Sequence, residues 1–242
     1  MLLTYIFHSA FALEFETCTL IFDYWKDVET PTFEKGFVSE CLLQKKTPIY
    51  VFSTHSHGDH FNPEILTWKD IHPEITYLFG HDILDEKLAT KEDAVFLAKG
   101  DTFKDELLSV KAFGSTDSGV SFWITLENKS IFHAGDLNNW HWADESPKEE
   151  STIAENNFLQ ELADLKKEVP VIDLAMFPVD NRMGTDYDRG AKQFIEAIKV
   201  KVLGPMHFGR QYDAANAFKE VAEQQKVRFL TITEKGQQFK IE

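Results

Sequence analysis

The sequence predicts a layered α/β fold, and three observations carry that expectation. Short runs rich in Phe, Ile, Val and Thr alternate with segments of helical period along all 242 residues, without a low-complexity linker. The apolar share is 43% with 21 Phe, enough to close a sizeable core and to exclude disorder. Pro48-Ile49-Tyr50-Val51-Phe52 is a continuous apolar run, as a strand buried on both faces requires. No composition break divides the chain, so a single domain over 1–242 is expected.

Each element follows from local pattern. Residues 2–7, 11–16 and 19–23 read as a meander of short strands. The stretch 24–47, with Pro31, Gly36 and many charges, reads as an excursion before the buried strand. A short helix is expected at 63–68, with Pro63 in a tolerated early position. Strands follow at 75–79, 94–98, 107–113, 119–126 and 130–133. Ile153, Phe158, Leu162 and Leu165 recur at helical spacing and place a helix over 151–168. Strand 171–176, helix 187–199, strand 200–203, helix 213–224 and strands 227–232 and 238–241 complete the order.

Charge and cysteine usage narrow the function classes. The chain has 25 Lys plus Arg against 40 Asp plus Glu, a formal charge of −15. A body that negative repels phosphate backbones, so a nucleic-acid partner is not expected. Cys18 and Cys41 form neither a C-x-x-C pair nor a disulfide framework, which suits a reducing, cytoplasmic setting. The apolar start lacks a basic leader region, and no run reaches about 18 apolar residues, so neither a signal peptide nor a membrane partner is expected.

The chemistry concentrates in three loops that leave strands. His55-x-His57-x-Asp59-His60 puts three imidazoles and a carboxylate within six residues, directly after the buried strand. Metals such as zinc take His nitrogen and carboxylate oxygen at about 2.0–2.2 Å. His55 and His57 fall on one side of an extended segment, while Asp59 and His60 lie past the bend at Gly58 and suit an adjacent ion. Ala134-Gly135-Asp136-Leu137-Asn138 and Gly204-Pro205-Met206-His207-Phe208-Gly209 are the other two loops.

The spacing H-x-H-x-D-H after a buried strand resembles the signature of the metallo-β-lactamase superfamily. Leu20-Ile21-Phe22-Asp23, Gly135-Asp136 and His207 are similar, in order, to that family's first, bridging and last motifs. Phe7-His8-Ser9, and Pro178 to Gly184 followed by a helix, resemble its ascorbate-phosphate-lactonase-like branch. The resemblance spans nearly the whole chain and implies a four-layer αββα sandwich, two mixed sheets flanked by helices. It also implies a first metal site of His55, His57 and Asp136, and a second of Asp59, His60, Asp136 and His207. One departure stands out: the family supplies a further His where this chain reads Lys111-Ala112-Phe113-Gly114-Ser115-Thr116-Asp117. The first site is then weakly held, completed by water, Ser115 or Thr116, or completed by His141 from the loop beyond Asp136.

The remaining candidates carry supporting roles. Asp23 is expected to orient a ligating His, since metal-bound imidazoles donate their other N–H to a carboxylate or carbonyl. His133 is a candidate for a similar outer contact, and His8 for a ligand or pocket residue. Trp140 and Trp142, in Asn138-Asn139-Trp140-His141-Trp142, suit an aromatic pocket wall, and in the loop that holds Asp180 and Arg182, both pocket candidates, Arg182 suits a clamp on an anionic group. His72 and His81 lack ligand-like neighbours. The expected activity is metal-dependent hydrolysis of a small ester, lactone or phosphodiester, with Asp59, His60 and Asp136 at the reacting centre. Zn²⁺ is the expected cofactor, as one or two ions, with Mn²⁺ or Fe²⁺ suited to the same donors. The alternative is a metal-binding relative with weak or no catalysis.

Overall fold

The computed structural model describes residues 1–242. The first strands are β1 (Leu2–Phe7), β2 (Ala10–Glu14) and β3 (Thr19–Phe22), then the short helix α1 (Phe37–Glu40), β4 (Ile49–Ser53), β5 (Ile75–Gly80), α2 (His81–Asp85) and β6 (Val95–Leu97). There follow β7 (Thr102–Lys104), β8 (Leu108–Phe113), β9 (Ser121–Leu126), β10 (Lys129–His133), α3 (Lys148–Glu168), β11 (Val171–Pro178), α4 (Arg189–Ala197) and β12 (Lys199–Met206). The chain closes with α5 (Tyr212–Ala217), α6 (Lys219–Gln224), β13 (Arg228–Phe229) and β14 (Gln238–Lys240).

The strands form two seven-stranded mixed sheets, ordered β14-β1-β2-β3-β4-β5-β6 and β13-β12-β11-β10-β9-β8-β7. The chain divides into two compact units, one sheet in each: Met1–Leu97 with Thr233–Glu242, and Ala98–Ile232. Composition does not mark the division, because both units draw on the same apolar vocabulary. The last residues return to the first unit, where β14 pairs antiparallel with β1.

In the first unit β2 runs antiparallel to both β1 and β3, while β3, β4, β5 and β6 run parallel. β1 and β3 therefore point the same way, and both end at the sheet edge where β4 ends. One face of this sheet, through Ile21, Val51, Tyr77 and Phe79, is buried with Phe37, Val38, Leu42, Ile65, Trp68 and Ile83 from the helical segments. Trp68 sets its ring edge-on to Tyr24 at 4.7 Å. Each such side chain removed from water is worth about 1.5–3 kcal/mol, and the helical turn Pro63–Asp70 that carries Ile65 and Trp68 is also capped, Asn62 Oδ1 accepting the Glu64 N–H at 2.9 Å.

In the second unit β10, β11, β12 and β13 are parallel, and β7 to β10 form an antiparallel meander. Phe177 of β11 stacks on Phe194 of α4 at 4.3 Å and meets Phe158 of α3 at 6.3 Å. α3 carries Glu149 and Glu150 in its first turn and Lys166 and Lys167 in its last, matching the helix dipole. Two local expectations change. The helix expected over 213–224 is two short helices, α5 and α6, that meet at Phe218. The edge strand β7 is three residues long, too short for its alternation to register in sequence.

Candidate metal centre

In each unit, neighbouring parallel strands end on residues with metal-ligand chemistry, as expected of open α/β sheets, which gather function beyond their strand C-termini. In the first unit β1 runs into His8, β3 into Asp23 and β4 into the histidine loop. In the second, β10 leads to Asp136, β11 to Asp180 and β12 to His207. His8, Asp23 and His207 have φ of 58°, 41° and 66°. Non-glycine residues hold that left-handed conformation at a cost of about 1–3 kcal/mol each, sustained where the surroundings over-determine it.

Asp23 organises the first cluster. Its fully buried carboxylate accepts the Thr54 N–H at 2.7 Å, the Thr54 hydroxyl at 2.8 Å and His60 Nδ1–H at 2.7 Å. Thr54 thereby gives its one hydroxyl proton to Asp23, so that its oxygen, 3.0 Å from His55 Nδ1, accepts from that ring. One carboxylate thus fixes the tautomer of two imidazoles, placing the proton of His55 and His60 on Nδ1. His55 Nε2 lies 3.1 Å from His57 Nδ1. The donor atoms of His8, Asp59 and His60 fall within 4.8 Å of one another. Asp59 Oδ2 is 3.3 Å from His8 Nε2 and 4.0 Å from His60 Nε2. Burial opposes ionisation of Asp59, but the hydrogen bond from His8 and the nearby His60 outweigh it, holding the carboxyl well below the usual range.

The loop itself is anchored from β5 and α2. Ser56 N–H donates to Asp82 Oδ2 at 2.8 Å. A Cβ on Gly80 would lie 2.3 Å from the Thr54 carbonyl oxygen, so only glycine lets β5 approach the loop this closely.

The second cluster repeats the device. His207 Nε2 lies 3.3 Å from Asp136 Oδ1, and its Nδ1–H donates to the buried Asp180 at 2.9 Å. Asp180 also accepts from Arg182 Nε at 2.9 Å and from a terminal guanidinium nitrogen at 2.6 Å. Burial raises the Asp180 pKa, yet the bonds from His207 and Arg182 prevail and hold it down at about 2. The Asp136 loop is braced on three sides. Trp140 Nε1–H donates to the Asp136 carbonyl at 2.8 Å, and Thr116 accepts the Asn138 N–H at 2.9 Å while donating to the Asn138 carbonyl at 2.6 Å. His133 Nδ1 accepts the Gly135 N–H at 3.2 Å. A Cβ on Gly190 of α4 would meet Asn138 Oδ1 at 1.9 Å, so that glycine lets the helix press on the loop.

Within this second unit a cavity of about 240 Å³ is lined by Asp117, Asp136, Trp140, Trp142, Arg182 and His207, with Thr116 beside them. Trp140 and Trp142 are nearly parallel, their ring centroids 6.4 Å apart, and Trp140 meets His207 edge-on at 5.3 Å.

Three candidate roles are corrected. His141 is not a spare ligand: its Nδ1 accepts the Ala143 N–H at 3.1 Å and its Nε2 meets the Asp186 carbonyl at 3.1 Å, so both ring nitrogens serve the loop backbone. Thr116 is a brace whose hydroxyl is engaged with Asn138. Arg182 is not an open clamp, because its fork is paired with Asp180, although it still rims the cavity. Ser115 keeps its hydroxyl buried without a hydrogen-bond partner. His72 is buried, and His81 pairs with Asp85 at 3.1 Å on the surface. Trp140 and Trp142 line the cavity as expected, and Asp117 was missed as a cavity residue. The signal for Asp117 was an acid in the stretch where the family pattern calls for a histidine.

Comparison with known proteins agrees with this picture. No family model matches the chain. It is 25% identical over 261 residues, covering both chains in full, to a UPF0173 metal-dependent hydrolase of Desulforamulus reducens. Among solved structures it superposes on Igni18, a metallo hydrolase from Ignicoccus hospitalis, with TM-score 0.68 and 17% identity, covering 100% of this chain and 99% of that one. It also superposes on the metallo-β-lactamase fold protein YhfI of Bacillus subtilis, with TM-score 0.62 and 12% identity over 98% of both chains. CmlA, a diiron β-hydroxylase from Streptomyces venezuelae, aligns with TM-score 0.66 and 13% identity, over 96% of this chain and 52% of that one. Two mixed sheets with histidines and aspartates at their strand ends define the metallo-β-lactamase fold. The chain has that fold and is similar in sequence to UPF0173 metal-dependent hydrolases.

Proposed function

We propose that this chain hydrolyses a small ester, lactone or phosphodiester, with His55, His57, Asp59, His60, Asp136 and His207 as ligands of one or two divalent ions. Donor spacing carries the reading. Two ligands each about 2.1 Å from one ion lie about 3.0–3.4 Å apart when adjacent in its coordination shell. The pairs His55–His57 and Asp136–His207 stand at 3.1 and 3.3 Å. Nitrogen and oxygen donors without thiolate favour Zn²⁺, with Mn²⁺ or Fe²⁺ as alternatives. Such an ion polarises a carbonyl or phosphoryl oxygen and lowers the pKa of a coordinated water to about 7.

The chain's own residues supply the rest. Asp59 is ionised and one-third exposed, suited to accept a proton from an attacking water. Asp23 and Asp180 hold His60 and His207 with Nδ1 protonated, so those rings present Nε2. The Trp140–Trp142 wall and the Arg182 rim suit the flat and anionic parts of a small substrate.

Apoprotein reloaded with Zn²⁺, Mn²⁺ or Fe²⁺ and assayed on nitrophenyl phosphodiesters, aryl esters and lactones tests this. Turnover that is lost in His57→Ala supports it. Absence of hydrolysis with every metal, alongside tight metal binding, replaces it with the second reading, a metal-binding relative without catalysis. The absence of a histidine from 114–117 is the observation that favours that second reading.

A further inference from the structure

We propose that His8, in the turn between β1 and β2, is a metal ligand: an additional imidazole donor to the ion held by Asp59 and His60. The inference rests on the reading that Asp59 and His60 bind metal, and it adds a donor from outside the H-x-H-x-D-H loop. His8 Nε2 stands 3.3 Å from Asp59 Oδ2, the spacing of adjacent ligands on one ion, and Asp59 Oδ2 is 4.0 Å from His60 Nε2. All three donor atoms lie within 4.8 Å of one another.

The turn is built to hold the ring there. His8 is 5% exposed and adopts φ 58°, a left-handed conformation that few non-glycine residues enter. Its backbone N–H donates to the Tyr5 hydroxyl at 2.9 Å, which fixes the turn from within β1. Trp25 and His60 present ring edges to the imidazole at 5.7 and 6.0 Å, closing the lateral space in which it would rotate. Topology then carries the ring to the ligands, since β1 and β3 end at the same sheet edge. A strained backbone, a sealed ring and a ligand-edge distance are costly together for a residue whose only work is to fill a turn.

The test uses cobalt(II) as a spectroscopic probe in the full chain. His8→Asn tolerates the left-handed backbone while removing the imidazole. It is expected to weaken Co²⁺ binding at one site about tenfold or more in competition with a chelator, and to shift the d–d absorption of that site. His8→Cys is expected to add a sulfur-to-cobalt charge-transfer band that is absent from wild type, where Cys18 and Cys41 serve as internal controls. Wild-type affinity and spectrum in His8→Asn, with no thiolate band in His8→Cys, overturn the assignment and leave the Asp59–His60 reading standing. A wild-type protein that takes up no Co²⁺ at all overturns both. Should the variants fail to fold, long-range ¹H–¹⁵N spectra of zinc-loaded wild type decide: a metal-bound Nε2 with protonated Nδ1 at His8 supports the assignment, and an Nε2–H tautomer refutes it.

Discussion

The histidine loop after β4 and the Asp136–His207 cluster solve one problem with different amounts of sequence. In both, a buried aspartate at a strand end accepts the Nδ1–H of a histidine, at 2.7 Å for Asp23–His60 and 2.9 Å for Asp180–His207. Asp23 spends its whole carboxylate inside, on His60 and Thr54, and through Thr54 it governs His55 as well. Asp180 divides its carboxylate between His207 and an Arg182 side chain that is 59% exposed. The first arrangement is a sealed core element, the second a partly solvated support beside a cavity. The difference teaches that the same aspartate-to-histidine contact need not carry equal energy in two surroundings.

The sharpest way to break that comparison is to neutralise each aspartate in turn. Asp23→Ala strands buried partners on Thr54 and His60, so a stability loss of about 3 kcal/mol or more and a 10–100-fold loss of metal affinity are expected. Asp180→Asn keeps its shape and its partner Arg182 reaches solvent, so about tenfold in affinity and about 1–2 kcal/mol are expected. Thermal melts and chelator competition measure both, and equal losses would dissolve the distinction.

A second contrast concerns the glycines that admit each loop. The Cβ of Gly80→Ala would meet a backbone carbonyl at 2.3 Å, whereas that of Gly190→Ala first meets a side-chain oxygen at 1.9 Å and then the Asn139 backbone nitrogen at 2.8 Å. Backbone yields less than a side chain, so Gly80→Ala is expected to cost about 2–3 kcal/mol and Gly190→Ala about 1–2 kcal/mol. The reverse order in denaturant melts would show that the Asp136 loop is the more rigid of the two.

How much of this was legible in the sequence follows from how local each feature is. His55, His57, Asp59 and His60 announce themselves because four ligand-type residues crowd six positions after an apolar run. The strands that deliver Asp23, Asp136 and His207 were readable because each ends an apolar stretch in a polar loop. Asp180 stood out as a loop residue, but its partner is 27 positions away, and pairing it with His207 required the parallel register of β11 and β12. His141 misled for the opposite reason. A histidine beside a ligand motif looks like a ligand until its ring nitrogens are found on the Ala143 and Asp186 backbone. The division into two units was not legible, since no linker or Gly/Pro-rich break separates residues 97 and 98.

Acid offers a smaller, directional test. The Asp180 carboxyl is held at about 2 against an ordinary value near 3.9, so its native pKa is depressed. The stability it contributes is fully present above about pH 4 and is lost as pH falls towards 2, a change of roughly 2 kcal/mol. Metal-free wild type should therefore lose more stability than Asp180→Asn over that interval. Parallel acid melts of the two proteins would contradict the assignment.

The smallest effect concerns Thr116, which ties the stretch lacking the expected histidine to the loop that carries Asp136. Its hydroxyl both accepts from and donates to Asn138, at 2.9 and 2.6 Å. Thr116→Val preserves volume and removes both bonds, leaving a buried N–H for which the loop must shift. About 1 kcal/mol of stability is expected to go. Because Trp140 hangs from the same loop through the Asp136 carbonyl, the cavity wall should move with it. The expected signature is a raised KM or a lowered kcat on aryl substrates with metal affinity within about twofold of wild type, and Thr116→Ser should restore it by returning the hydroxyl. A tenfold fall in metal affinity in Thr116→Val would instead make the hydroxyl part of the metal's own support, and the two clusters would then differ less than their hydrogen bonds imply.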